Sequence, residues 1–305
     1  MEKIGRIRPV RHQSHDHRMK NIGWAILINM GITVAEVIGG TLSGSLALLS
    51  DAGHNLSDVI SLGLSFIGEK LSRKKATRRH TFGFRRTEVF TALINALSLV
   101  GIAAFIVIEA VKRISSPPAL SLGLMLGVAT LGLLGNVFSM MILGKREANL
   151  NVKAAYLHLF YDALSSVAVI GSGFLIYLTG WVVLDLVISL LIAGMVLWSG
   201  LGVIKKAVHI LMQGVPEGIE FDKILQDILS VPGVKSVHGL HIWSIDSSDV
   251  FLSCHVCMEE VDGKRDTDKI IRDVNTMLGK NHRIHHTVIQ AENENLCGID
   301  VLCNK

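Results

Sequence analysis

Ser45-Leu46-Ala47-Leu48-Leu49-Ser50-Asp51-Ala52-Gly53-His54-Asn55-Leu56-Ser57-Asp58 is the stretch that decides how the chain reads. Asp51, His54, Asn55 and Asp58 fall at i, i+3, i+4 and i+7, so they share one face of a helix. That helix runs through an apolar segment, residues 46–67, which is long enough to cross ~30 Å of hydrocarbon. A charged group at that depth costs roughly 2.5–3.5 kcal/mol on insertion scales, so several together need partners, water or a cation.

Five further apolar segments lie around it, at residues 22–42, 89–111, 120–143, 154–178 and 182–204. With 50% hydrophobic and 18% charged residues, and a mean hydropathy of +0.45, the chain is too apolar for an ordinary soluble domain. Residues 1–212 carry a net charge of +10 and no Cys, whereas residues 213–305 carry −6 and all 4 Cys. The expected organisation is therefore a cytoplasmic arm (1–20), a six-helix transmembrane domain (21–212) and a cytoplasmic domain (213–305). The basic residues interrupt apolar helices and form no continuous face, which argues against nucleic acid as a partner. Segment 22–42 carries Asn29 and Glu36 and starts too late to be a cleaved signal sequence. Six spans return the chain to its starting side. The 8 Lys/Arg in the loop 69–88, set against uncharged loops at 43–45 and 179–181, place both termini in the cytoplasm. Small residues such as Gly31 and Ala35, Gly127 and Gly135, and Gly171 and Gly173 are expected at close helix contacts.

Span five repeats the pattern of span two, with His158 and Asp162 one turn apart. The two spans run in opposite directions, so docking them can set His54 level with Asp162 and Asp58 level with His158. Two imidazoles and two carboxylates form a ligand set that suits tetrahedral Zn²⁺. Two other readings stand beside it: an interhelical hydrogen-bond seam and a metal-free proton relay. A seam would be served by Asn, Ser and Gln, and a relay does not call for a matched pair on each helix. The absence of Cys from this half argues against a very tight thiolate site. Glu36 and Asp51 are expected in an access route or proton path, and Glu109 and Asp185 near the interfaces.

The stretch 44–58 containing His54 and Asp58, the run His80-Thr81-Phe82-Gly83-Phe84-Arg85-Arg86-Thr87-Glu88, and Ala155-Tyr156-Leu157-His158-Leu159-Phe160-Tyr161-Asp162-Ala163-Leu164-Ser165-Ser166 together resemble the cation diffusion facilitator family, and within it the bacterial zinc/cobalt/cadmium efflux branch. The resemblance implies a homodimeric metal/proton antiporter of a bacterial inner membrane. It would use alternating access around His54, Asp58, His158 and Asp162, with Zn²⁺ as substrate, H⁺ as coupling ion and no permanent cofactor. A loop metal site found in some relatives is expected to be weak or missing, because only His80 remains in a loop crowded with Arg and Lys. The loop reads better as an anchor to anionic membrane lipids. His12, His15 and His17 read as a flexible arm.

Beyond residue 212 the pattern changes to short elements: helices at 219–229 and 267–278, and strands at 234–244, 250–258 and 285–291. The order helix–strand–strand–helix–strand is a small α+β unit, and it resembles the metallochaperone-like, ferredoxin-like tail of the same family. His238, His255 and Glu292, assisted by Gln290, occupy positions similar to the tail metal sites of relatives, which implies regulatory Zn²⁺ binding at a dimer contact. Cys297 and Cys303 form a second candidate group with His241, His282, His285 or His286, expected as reduced thiols in the cytoplasm. Arg86 and Glu217 are expected to pair at the hinge between membrane domain and tail. A membrane-anchored zinc sensor would not need six spans, and an intramembrane hydrolase lacks a His-Glu-x-x-His or serine-elbow motif here.

Overall fold

The computed structural model describes residues 13–72, 74–143, 150–259, 266–292 and 301–302. The arm's His12, His15 and His17, and the tail's Cys297 and Cys303, lie outside the residues whose side chains are described. Two compact units emerge. Residues 1–63 with 95–202 form one; residues 64–94 with 203–305 form the other.

Six long helices carry the first part of the chain: α1 (Gln13–Ser43), α2 (Leu46–Ser72), α3 (Thr87–Ser115), α4 (Leu122–Leu143), α5 (Leu150–Thr179) and α6 (Val183–Leu211). Among the described residues, α3 to α6 are long and apolar enough to cross a membrane, and the described part of α1 includes the apolar stretch Leu27–Ser43. Polarity is inverted relative to a soluble protein, since Trp198 is 85% exposed while Glu36 is 0% exposed. Such a surface is at ease in hydrocarbon and not in water.

Close packing fixes the bundle. Leu46, Leu48, Ala103, Ile106, Met125 and Val169 lie in a shared buried cluster of the first unit. A Cβ added to Gly39, Gly135 or Gly173 would lie within 2.9 Å of a neighbouring side chain, whereas one on Gly31, Gly127 or Gly171 would meet nothing within 4 Å. Of the small-residue pairs expected from sequence, then, only one glycine in each of the last two meets a neighbouring helix. Sequence proximity does not say which face of the helix a glycine occupies.

The turn into α2 is held from a distance. Asp185 on α6 accepts from Ser45 Oγ at 2.6 Å, Leu46 N at 2.7 Å and Ala47 N at 3.3 Å, satisfying donors that a helix N-terminus leaves without partners. Arg113 Nη1 donates to Gly44 O at 2.5 Å and its Nε to Glu109 at 3.0 Å. Asp185 is thus a buried cap, not a residue facing an interface.

In the tail, α7 (Phe221–Leu229), β1 (Val234–Ser244), β2 (Val250–Met258), α8 (Thr267–His282) and β3 (His286–Glu292) form a three-stranded sheet in the order β1-β2-β3. β1 and β2 pair antiparallel, and β2 and β3 pair parallel through the α8 crossover. Ile224, Ile228, Leu240, Leu252, Val256, Val274 and Leu278 fill the core beneath the two helices. Asp266 caps α8 by accepting from Lys269 N at 2.9 Å, and Arg283, left-handed at φ 57°, ends it. Among the described residues the first strand of a β-α-β-β-α-β ferredoxin-like unit is not present.

Candidate metal centre

α2 and α5 bring the two His-x-x-x-Asp pairs together. His54 Nε2 lies 3.6 Å from Asp58 Oδ2 and 3.9 Å from Asp162 Oδ1; His158 Nε2 lies 3.5 Å from Asp58 Oδ2 and 3.5 Å from Asp162 Oδ2. These separations are too long for hydrogen bonds. They are close to the ~3.3 Å edge of a tetrahedron of ligands about 2.0 Å from a zinc ion. All four residues can offer one atom each within 4.8 Å of the others. Asp58 Oδ2 and both Asp162 oxygens are buried with no hydrogen-bond partner. An unpaired buried carboxylate is costly, and a divalent cation at the centre answers both carboxylates at once. Asp162 is fully buried, while His158 is 37% exposed, so one side of the cluster is open to an approaching ion.

Glu36 and Asp51 stand outside this tetrad. Asp51 accepts from Ser165 Oγ and, at 3.5 Å, from Ser166 Oγ. Glu36 Oε2 accepts from Asn55 Nδ2 at 2.8 Å, leaving Oε1 without a partner. Gly132 of α4 permits this arrangement, because a Cβ there would lie 2.6 Å from Glu36 Oε1. Asn136 and Ser139, both fully buried on α4, were missed by sequence reasoning. Their only signal was polar spacing of i+4 and i+7 from Gly132 in an otherwise apolar helix.

The tail cluster is arranged differently. His238 and His255 are cross-strand partners, and His255 and Cys257 face Gln290 and Glu292 on β3. Glu292 accepts at both oxygens, from His238 Nε2 at 2.8 Å and His255 Nδ1 at 2.6 Å, and Gln290 Nε2 adds a bond at 2.9 Å. The two imidazoles stack at 4.8 Å. The hydrogen bond from His255, and then that from His238, holds the Glu292 carboxyl below its ordinary 4.5. His238, Cys257 and Glu292 could also converge on an ion. Cys257 is disulfide-bonded, so it offers a thiolate only once reduced. The Cys254 thiol, pushed up to about 12 by burial, is chemically quiet. Of the histidines proposed beside Cys297 and Cys303, His282 pairs with Asp227 at 2.7 Å and His286 stacks on Phe251 at 4.5 Å.

The hinge pair differs from expectation by residue. Glu217 lies 3.1 Å from Lys206, not against Arg86, and the neighbouring Arg85 pairs with Asp249. His80 lies 4.6 Å ring to ring from Phe84.

Residues 24–212 match the family model described as the cation efflux transmembrane domain, and residues 216–294 the one described as the cation efflux protein, cytoplasmic domain. The chain is 41% identical over 87% of its length to a cadmium, cobalt and zinc/H⁺-K⁺ antiporter of Bacillus subtilis, covering 86% of that protein. It is 35% identical to the zinc transporter ZitB of Escherichia coli, covering 96% of this chain and 94% of that one. The metal cation efflux system protein CzcD of Cupriavidus metallidurans is 36% identical, with 92% and 89% covered. The solved metal-bound C-terminal domain of that CzcD transporter aligns to 24% of this chain and 99% of its own at 31% identity, with a TM-score of 0.23.

Proposed function

This chain belongs to the cation efflux family, whose members are metal cation transporters and not enzymes, and from that premise we propose that it exports Zn²⁺ from the cytoplasm in exchange for protons. Cadmium and cobalt are secondary substrates in this reading. Six spans, both termini in the cytoplasm of a bacterial cell and a tail that joins two copies into a homodimer complete it. His54, Asp58, His158 and Asp162 hold the travelling ion. The observation that carries this reading is the convergence of four side chains whose imidazole nitrogens lie 3.5–3.9 Å from the carboxylate oxygens, with Asp58 Oδ2 and both Asp162 oxygens unpartnered.

Coupling follows from the ligands. Imidazole binds zinc only when neutral, and carboxylate only when ionised, so protons and metal compete for the same atoms. Protonation from the far side releases the ion there. Deprotonation on the cytoplasmic side restores the site, and alternating access separates the two events. Asp51 and Glu36 serve the access or proton path. Residues 21–212 act as the transport domain and residues 213–305 as the regulatory domain, where His238, His255 and Glu292 take Zn²⁺ in exchange for their mutual hydrogen bonds.

The experiment is zinc uptake into proteoliposomes under an imposed pH gradient. The gradient should drive uptake, and collapsing it should stop net accumulation. Uptake that continues unchanged after collapse would rule out obligatory exchange with protons.

A further inference from the structure

We propose that the segment 79–90, with Gln213, Trp243 and Ile245, forms a binding site for the phosphate headgroup of an anionic phospholipid. Residues 79–87 and Phe90, with Gln213, Trp243 and Ile245, line a cleft of about 580 Å³. Arg79, His80, Arg85 and Arg86 line it. Arg85 is engaged, since its Nη1 donates to Asp249 and lies 4.0 Å from Asp246. Glu88 turns its Oε1 to Ser247 Oγ at 2.6 Å. Arg79 and Arg86 form no ion pair among the described residues, so two planar guanidinium groups remain to meet an anion with several oxygens.

The arginines are held ready by the loop itself. Thr77 and His80 exchange backbone hydrogen bonds at 3.0 and 3.1 Å, and Gly83 N donates to His80 O at 2.9 Å. Gly83 takes φ +70°, and a Cβ there would lie 3.2 Å from Lys74 O. Phe82 packs edge-on against Phe251 at 5.6 Å. A loop already ordered loses little further freedom when a ligand arrives.

A lipid suits the site better than a free anion because the cleft opens onto an apolar track. Phe90 lines the cleft and is 49% exposed, and Ile94, one turn further along α3, is 53% exposed. Acyl chains can follow that track while the phosphate meets Arg79 and Arg86. Free phosphate would use the arginines and leave the apolar track bare. The proposal depends on the chain being a membrane protein and not on zinc as its cargo.

The test is a titration of delipidated full-length protein in neutral detergent with phosphatidylglycerol, phosphatidylcholine or inorganic phosphate, with bound molecules counted by native mass spectrometry. Phosphatidylglycerol should bind at least about tenfold more tightly than phosphatidylcholine, and R79Q/R86Q should weaken it by about tenfold per guanidinium lost. R79K/R86K should recover part of the loss, which separates recognition from misfolding. K74Q/K75Q removes the same charge from exposed positions that do not line the cleft, and should change binding by less than about threefold. Equal losses in the two Gln variants would reduce the effect to diffuse charge attraction. Equal retention of both lipids, or displacement of phosphatidylglycerol by an equal concentration of inorganic phosphate, would likewise overturn the proposal.

Discussion

The membrane cluster and the tail cluster use the same chemistry, two imidazoles with carboxylate, and satisfy it in opposite ways. In the cluster between α2 and α5 the imidazole nitrogens lie 3.5–3.9 Å from the carboxylate oxygens, and Asp162 has no hydrogen bond at either oxygen. Across the tail sheet Glu292 is bonded at 2.6 and 2.8 Å by both imidazoles. The difference teaches what each can do with an ion. In the membrane, bound metal replaces nothing, so affinity is set by the ligands and by proton competition. In the tail, an ion would first have to displace the hydrogen bonds that His238 and His255 make to Glu292.

The contrast breaks most sharply at Asp162. Asp162→Ala removes the fully buried carboxylate, and zinc flux in proteoliposomes should fall by about a hundredfold or more, beyond the 10–100-fold typical of losing an outer partner. The tail should stay folded in that variant, as circular dichroism and dimer size would report. His54→Asp exchanges an imidazole for a harder oxygen donor and should lower the preference for Zn²⁺ over Mn²⁺ by about tenfold in competition uptake. Asp185→Asn keeps the shape of the α2 cap but weakens bonds made by a charged acceptor. It should reduce stability by about 1–2 kcal/mol while leaving zinc affinity unchanged, which would distinguish a carboxylate that caps from one that ligates.

The smallest effect belongs to Glu292. Its carboxyl is held below 4.5 in the folded tail, chiefly by His255. In metal-free protein it therefore contributes stability above about pH 4.5, and loses that contribution as pH falls through its lower folded value. Amide protection in β1 to β3, taken relative to the intrinsic exchange rate at each pH, should fall as the pH drops from about 4.5 towards 3. Glu292→Gln should flatten that dependence and change flux at saturating zinc by less than about twofold.

The membrane tetrad was legible in sequence because helical periodicity alone aligns His54 with Asp58 and His158 with Asp162, and antiparallel docking leaves one natural register. The tail cluster was reached only through family resemblance. Three strands must find their register before His238, His255 and Glu292 meet, and Gln290 turns out to donate to Glu292. Both strand ranges of the β1–β2 hairpin were readable from alternation, whereas α8 runs four residues past its expected end before Arg283 stops it. Asp185 could not have been assigned, since it caps a helix that starts 139 residues earlier. The expected Arg86–Glu217 pair had no periodic signal behind it, and Glu217 instead meets Lys206, eleven residues earlier in the chain.

The most direct measurement is zinc K-edge X-ray absorption of the full-length protein carrying His238→Ala and His255→Ala, so that the tail cluster is disabled. The expected spectrum has a four-coordinate shell of nitrogen and oxygen at about 2.0–2.1 Å, and it should vanish in the Asp162→Ala background. A sulfur shell near 2.3 Å, or an unchanged spectrum after Asp162 is removed, would contradict the assignment of the travelling ion to His54, Asp58, His158 and Asp162.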